Sequence, residues 1–346
     1  MGPVVAATQY GNRRAQDRPA LTAGDVNWRP SASLEVLERR AHMLGLARNF
    51  FAVRSILEVE TPVLMRSGIT DPHIANLTTR LAARSDRPYY LQTSPEFAMK
   101  RLLAAGAADI YQICKVFRDH EIGRIHQPEF TMVEWYRHGI ALEEIITETC
   151  AFIIEIGETP SVGIDQYRYR DIFLTTCDID PLVADLGHLA DCAERMIDAL
   201  TPDLRQRIGT DRNAWLDLLM SHVIMPGLAT DRLSVIHHFP ADQAALARLD
   251  PAEPKVAERF EIIFAGIELA NGYRELTDVI EQRHRFNTDL QLRHAAGLPA
   301  MKPDQALLGA LDHGLPECSG VAIGFDRLVM TACGLSHIDQ VISFTQ

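Results

Sequence analysis

An α+β fold is what this chain predicts, and three observations carry that reading. Residues Ile110–Arg118 and Glu129–Arg137 are rich in β-branched and aromatic side chains and free of Pro and Gly, so they read as two strands joined by a charged loop. Ser33, followed by Glu35 and Glu38, opens a long helix on which Leu34, Leu37, Ala41, Leu44 and Phe51 form an apolar stripe. No G-x-x-x-x-G-K or G-x-G-x-x-G loop occurs, which removes support from the parallel-sheet nucleotide folds, so any phosphate must be held by arginines.

In chain order, residues 1–30 lack periodicity and read as a flexible extension. Ile56–Pro62 reads as a short strand ended by a proline, which suits an edge or an interface. A strand around Tyr89–Gln92 leads to the helix entry Thr93-Ser94-Pro95-Glu96, after which Met99, Leu102 and Leu103 make an amphipathic helix. In the strand over 129–137, alternation puts Phe130, Met132, Glu134 and Tyr136 on one face and Thr131, Val133 and Trp135 on the other. A carboxylate on a partly apolar face is costly unless a cation meets it, so Glu134 beside Tyr136 marks a slot for an amine; a solvated glutamate on a surface strand is the alternative.

Residues 140–235 contain helices such as Leu189–Leu200 and Trp215–Ile224, carry no chemical signature, and read as a helical insertion. Then come Val235–Pro240, a helix near Val256–Arg259, and the apolar run Phe260–Phe264. Asn271, Tyr273 and Glu275 share one face of the next strand, again with a solvated face as the alternative. Gly320–Gly324 is a small-residue strand entering a helix over Arg327–Cys333, with Asp326 as its N-cap and Gly334 as its stop. Ala322 and Gly324 fall on one face, where small residues admit either a flat ligand or tight helix packing.

Composition sets the outer limits. With 346 residues, 47% of them hydrophobic, and a mean hydropathy of −0.05, the chain can bury a large core. No apolar run approaches the roughly 18 residues of a membrane span, and the Arg13, Arg14 and Arg18 region lacks the apolar block of a signal peptide, so a cytoplasmic protein without membrane contact is expected. Six widely spaced cysteines (114, 150, 177, 192, 318 and 333) without a C-x-x-C predict reduced thiols rather than disulfides or a zinc site. Thirteen histidines include no H-E-x-x-H or H-x-H, and His237-His238 reads as a strand or loop pair. A net charge of −12 opposes non-specific binding to phosphate backbones.

Taken in order, Leu57–Pro62, Phe117–Tyr136 and Gly320–Met330 resemble motifs 1, 2 and 3 of the class II aminoacyl-tRNA synthetases. The stretches SPEFAMKRLL, HQPEFTMVEWY and GIELANGYREL are similar to the lysyl subgroup, and the resemblance covers residues 31–346. It implies a catalytic domain with a mostly antiparallel sheet flanked by helices, and a homodimer built through the motif 1 helix over 34–51 and Pro62. The part of the chain ahead of motif 1 leaves no room for the anticodon-binding domain of bacterial lysyl enzymes, so tRNA is not an expected partner. This short form resembles the elongation factor P lysine ligases, a paralogous branch that attaches a lysine, by family expectation (R)-β-lysine, to a lysine side chain of elongation factor P.

The resemblance implies roles for matching residues. Arg118 and Arg327 would be the catalytic arginines on the phosphates of ATP, since planar guanidinium forks suit oxyanions. Phe130 would stack on adenine, His126 would lie near phosphate or ring, and Asp119, His120, Gln127, Leu269 and Gly324 would complete the ATP contacts. Glu261 and Glu268 would hold Mg²⁺. Glu96 would take the α- or β-amine, with Tyr136, Asn271, Tyr273 and Glu275 around the distal ammonium, Glu134 nearby, and Ser94, Pro95 and Ala322 also in the substrate site. Three positions depart from the family pattern. Arg118-Asp119 is followed by His120 where motif 2 carries Glu, leaving Glu121 or a backbone carbonyl as adenine contacts. Gln127 replaces the usual Asn. Ala322 replaces the Gly of tRNA-charging lysyl enzymes, as in the ligase branch. A synthetase-like enzyme charging tRNA or a small acceptor is the alternative function. A catalytically silent sensor is a third, opposed by the intact Arg118, Glu268, Glu275 and Arg327.

Overall fold

The computed structural model describes residues 28–198 and 200–345, so most of the expected 1–30 extension lies outside the described residues. Ser33 Oγ accepts the Val36 amide at 3.3 Å and starts α1 (Leu34–Ala52). Short strands β1 (Leu57–Glu58) and β2 (Leu64–Met65) lead to a hairpin of β3 (Thr78–Leu81) and β4 (Arg84–Leu91), then to α2 (Glu96–Ala104). β5 (Ile110–Phe117) and β6 (Glu129–His138) pair antiparallel along their length, as β-branched and aromatic strands joined by a polar loop should. After α3 (Leu142–Gly157) and β7 (Gly163–Arg168) come α4 (Tyr169–Cys177), α5 (Leu186–Met196), α6 (Pro202–Ile208) and α7 (Arg212–Leu219). β8 (Arg232–Pro240), β9 (Val256–Phe264) and β10 (Ile267–Arg274) precede α8 (Val279–Ala295), α9 (Gln305–Gly314), β11 (Cys318–Gly324) and α10 (Phe325–Ala332).

The main sheet runs β1-β5-β6-β11-β10-β9-β8-β7. Its pairings from β5 to β8 are antiparallel, and only the outer pairs β1·β5 and β7·β8 are parallel. One face is apolar: Val133 and Trp135 of β6, Val321 and Ile323 of β11, Ala270 of β10 and Ile262 of β9 join Phe50 and Phe51 of α1, Phe152 of α3 and Val329 of α10 in one core. Fully burying a side chain of this size contributes about 1.5–3 kcal/mol. Three helices cover that face, so the alternate residues of the same strands face the other way and are free for chemistry.

Several expectations change. The residues expected as a helix near Val256–Arg259 are the first half of β9. Asp326 is not the cap of the last helix; Gly324 precedes it, and the buried Asp326 carboxylate accepts the Thr131 amide at 2.7 Å and pairs with Arg40 at 2.5 Å. A buried carboxylate gains more from a guanidinium than from an exposed helix end, and breaking such a pair from one side typically costs about 3–5 kcal/mol. The buried face of α1 is Met43, Ala47, Phe50 and Phe51, offset from the expected stripe, so that Leu34 remains 71% exposed. The stretch 140–235 is only partly a separate helical unit. α3 belongs to the main core and β7 and β8 to the sheet, while α4, α5 and α7 bury Tyr169, Phe173, Leu189 and Trp215 in a second core against Ile236 and Phe239 of β8.

Candidate active site

The open face of the sheet floors a cleft of about 440 Å³. Cross-strand register builds the floor in rows. Glu134 on β6 pairs with Ala322 on β11, Ala322 with Asn271 on β10, and Asn271 with Glu261 on β9. The adjacent row is Tyr136, Gly320, Tyr273 and Arg259. Directly opposed residues across a ladder share a face, so the seven side chains of these eight residues must point together, with Gly320 leaving room among them. Phe130 lies four residues before Glu134, roughly 13 Å away along the strand.

At the Tyr136 end the cleft is acidic and its carboxylates are largely buried. Glu134 is 2% exposed; it accepts Ser94 Oγ at 2.9 Å and the Tyr136 hydroxyl at 2.7 Å. Burial pushes its pKa up to about 8, with the charge of Glu96 adding to the rise. The same burial, with Glu134, Glu96 and Glu275 close by, holds the Tyr136 phenol well above its ordinary range, so it stays a donor. Glu275 is also 2% exposed and is pushed up to about 7 by burial, against the pull of Lys100. Lys100 reaches both Glu96, at 2.6 Å, and Glu275, at 2.5 Å. Asn271 Nδ2 donates to Tyr273 Oη at 3.0 Å. Three carboxylates thus share one ammonium, which touches only Glu96 and Glu275, a mismatch that invites further cations.

At the Phe130 end the cleft is basic. Arg118 lies over the Phe130 ring, 5.3 Å from its centroid, and approaches Glu121 at 3.6 Å. Arg327 is fixed by the Ile125 carbonyl at 3.2 Å and the Glu268 carbonyl at 2.9 Å, and contacts His126 Nε2 at 2.5 Å. A guanidinium only donates, so that imidazole nitrogen is the acceptor. Burial and the Arg327 charge lower the His126 pKa, which keeps the ring neutral. Gln127 Nε2 donates to Asp339 at 2.6 Å and ties the β5–β6 loop to the C-terminal turn over Ile338–Val341.

Between the ends lie Glu261 and Glu268. Burial raises Glu261 to about 7, opposed by Arg259 at 2.5 Å and reinforced by the charge of Glu268. Two carboxylates on one cleft wall fit a hard divalent cation. Among the described residues no cluster of three or more His, Cys, Asp or Glu could hold a metal, so such an ion would draw its remaining ligands from phosphate and water.

Of the residues singled out from sequence, all line the cleft except Asp119, His120 and Pro95. Asp119 donates its amide to Ala75 and His120 is 85% exposed at φ 64°, so the loop turns both outward and leaves Glu121 on the cleft wall. Pro95 serves as the cap position of α2. Two further residues of the site carry no local signal: the i, i+2 relation of Arg259 to Glu261 shows only once both lie on a strand, and the i, i+4 relation of Lys100 to Glu96 looks like an ordinary solvated pair.

An antiparallel sheet with paired arginines over its open face and no glycine-rich loop is the catalytic architecture of a class II synthetase. The family model described as tRNA synthetases class II (D, K and N) matches residues 21–346, and the chain belongs to that family. Within it, the chain is 45% identical over 323 residues to the Elongation factor P--(R)-beta-lysine ligase of Erwinia tasmaniensis, covering 92% of this chain and 98% of that one. Proteins of the same name from Klebsiella pneumoniae, over 323 residues with the same coverage, and Pasteurella multocida, over 321 residues with 92% and 97% coverage, are each 43% identical.

Gly320 offers a direct check on the acidic end, because a Cβ there would lie 2.4 Å from Glu275 Oε1 and 2.4 Å from Cε1 of Tyr136. Gly320→Ala is expected to weaken binding of a lysine-type ligand at least tenfold, about 1.4 kcal/mol, with nucleotide affinity unchanged. Titration calorimetry with each ligand measures this, and an equal loss for both would contradict the division of the cleft.

Proposed function

We propose that this protein is an ATP-dependent ligase that activates (R)-β-lysine or lysine as an adenylate and transfers it to a lysine side chain of elongation factor P. The observation that carries this reading is the surplus of carboxylates at one end of a cleft whose other end presents two fixed guanidiniums. The names of the relatives at 43–45% identity support the same acceptor. A diamino acid fits end to end, with its ammonium groups among Glu96, Glu134 and Glu275 and its carboxylate turned toward Arg118.

The amino acid carboxylate attacks the α-phosphorus of ATP and pyrophosphate leaves; the acceptor ε-amine then attacks the adenylate carbonyl and AMP leaves. Neither step requires a protein nucleophile. Arg118, over Phe130, meets the charge that develops at the α-phosphate, and Arg327 braces the outer phosphates, both held before substrate arrives. Phe130 offers a stacking plate for adenine. Glu261 and Glu268 would hold Mg²⁺, which when bound supplies charge neutralisation on the phosphate oxygens. Ser94 and Tyr136 orient Glu134, and Ala322 sets the depth of the floor beneath the reacting amino acid.

Incubating the protein with ATP, Mg²⁺, (R)-β-lysine or lysine, and either elongation factor P or total tRNA decides the acceptor by mass. A gain of one lysyl residue on elongation factor P is expected, and Arg118→Ala should lower the rate by on the order of 2–4 kcal/mol of transition-state stabilisation. Charged tRNA with unmodified factor would overturn the proposal.

Proton linkage provides a second test. Glu134, pushed up to about 8, is mostly protonated in the free protein at pH 7. An ammonium placed beside it lowers that value, so binding expels a proton and affinity rises with pH until about 8, then levels off. Calorimetry at pH 7 in buffers of different ionisation heat should read net proton release, abolished in Glu134→Gln. Binding with no proton exchange would refute the role given to Glu134.

The protein is further proposed to be a cytoplasmic homodimer. No helix among the described residues is long and apolar enough to cross a membrane, and a translation factor as acceptor places the reaction with the ribosome's pool. Leu34 and Leu57, 71% and 58% exposed, lie on α1 and β1 away from the core. Light scattering should give twice the chain mass, reduced to one chain by Leu34→Glu with Leu57→Glu; a monomeric wild type would exclude the dimer.

A further inference from the structure

Lys100 belongs to none of the functions derived so far. It lies on α2, is 1% exposed, and is absent from the wall of the cleft, yet its ammonium touches two of the three carboxylates that face the cleft's acidic end. A lysine is almost never buried this completely without a reason in charge. Its i, i+4 spacing from Glu96 sets one contact through the helix, and Glu275, which follows β10, sets the other through the tertiary fold.

We propose that Lys100 is a positioning residue whose fixed ammonium aligns Glu96 and Glu275 and sets the charge of the pocket so that it accepts a ligand bearing two ammonium groups. This inference rests on the reading of the cleft as a lysine-type amino acid site. The charge count is direct. Glu96, Glu134 and Glu275 together carry three negative charges when ionised, Lys100 cancels one, and a diamino acid supplies the two that remain. Without Lys100 the same three carboxylates would face two ligand ammoniums in a largely buried site, and one carboxyl would have to stay protonated. Glu96 and Glu275 would also lose the bridge that holds them together across the gap between α2 and the end of β10.

The geometry explains the burial of the ammonium. Burial alone would drive the Lys100 pKa down, but Glu275 and Glu96 outweigh it and keep the side chain charged. The groups that face Glu275 are Lys100 and Glu96 from α2, Glu134 and Tyr136 from β6, Tyr273 from β10 and Cys318 from β11. Lys100 is the one cation in that set, so it is the group whose removal must raise the Glu275 carboxyl.

The test is the pH dependence of lysine-dependent ATP–pyrophosphate exchange in wild type, Lys100→Met and Lys100→Ala. Exchange by the wild type first establishes the underlying reading; its absence would remove that reading rather than single out Lys100. For Lys100→Met, KM for (R)-β-lysine or lysine should rise at least tenfold with KM for ATP unchanged. The acid limb of kcat/KM should move to higher pH, because Glu275 protonates more readily without its cation. In Lys100→Ala, ethylammonium should restore activity at least fivefold where ethanol at equal concentration does not. A purely structural lysine would lower thermal stability and both KM-linked affinities together, leave the acid limb in place, and respond equally to both additives. That result would overturn the inference, and thermal melts of each variant separate it from simple unfolding.

Discussion

Everything in the cleft depends on confining acidic side chains to a largely buried sheet surface. Isolated carboxylates do not stay ionised in such a place. Here each is held by partners: Ser94 and Tyr136 on Glu134, Lys100 on Glu275 and Glu96, Arg259 on Glu261. The partners do not balance the set. Residual negative charge at one end and two guanidiniums at the other give the cleft a direction, and a zwitterionic diamine joined to a nucleotide has the matching polarity.

That direction is fixed by the backbone rather than by loops. The eight floor residues come from four adjacent antiparallel strands, and a one-residue slip in any of them would turn its functional residues into the core and its core residues into the cleft. The apolar side of the same strands forbids the slip, since Val133, Trp135, Val321, Ile323, Ala270 and Ile262 are locked under α1, α3 and α10. Packing on one face therefore positions the cleft-lining groups on the other. Gly272 and Gly320 show how close the fit is. A Cβ at Gly272 would meet the Phe260 ring at 2.4 Å, just as one at Gly320 would meet Glu275 and Tyr136.

Much of this was legible in the sequence because strand alternation is a local signal. Phe130, Met132, Glu134 and Tyr136 share the cleft face and Thr131, Val133 and Trp135 the other, as the period of two requires. The solvated alternatives for Glu134 and Glu275 fail in the folded chain because α2 closes over them, a tertiary fact that no local pattern carries. The same reason hid Lys100, whose second partner is 175 residues away in sequence, as 275 − 100 gives. Ala257, Glu258 and Arg259 are locally compatible with the expected helix near Val256–Arg259, but pairing with β8 and β10 decides for strand. The α1 stripe and the Asp326 cap went astray for a related cause: each residue satisfies a local rule, and a buried partner elsewhere satisfies a stronger one.

The helical cluster between β7 and β8 is connected to the chemistry by one route. Arg259 stands over the Phe239 ring, 4.4 Å from its centroid, and Phe239 belongs to the core shared with Tyr169, Phe173 and Trp215. Arg259 also donates to the Gln243 carbonyl at 2.7 Å, while the Gln243 side chain donates to Asp217 of α7 at 2.8 Å. At its other end Arg259 holds Glu261, on the wall of the cleft. Burial would depress the Arg259 pKa, but Glu261, Tyr273, Glu268 and Asp217 hold it high, so the guanidinium is a permanent charge that links the second core to the cleft wall. The cluster thus braces the wall where the nucleotide's cation would lie, which gives a structural role to a segment with no chemical signature of its own.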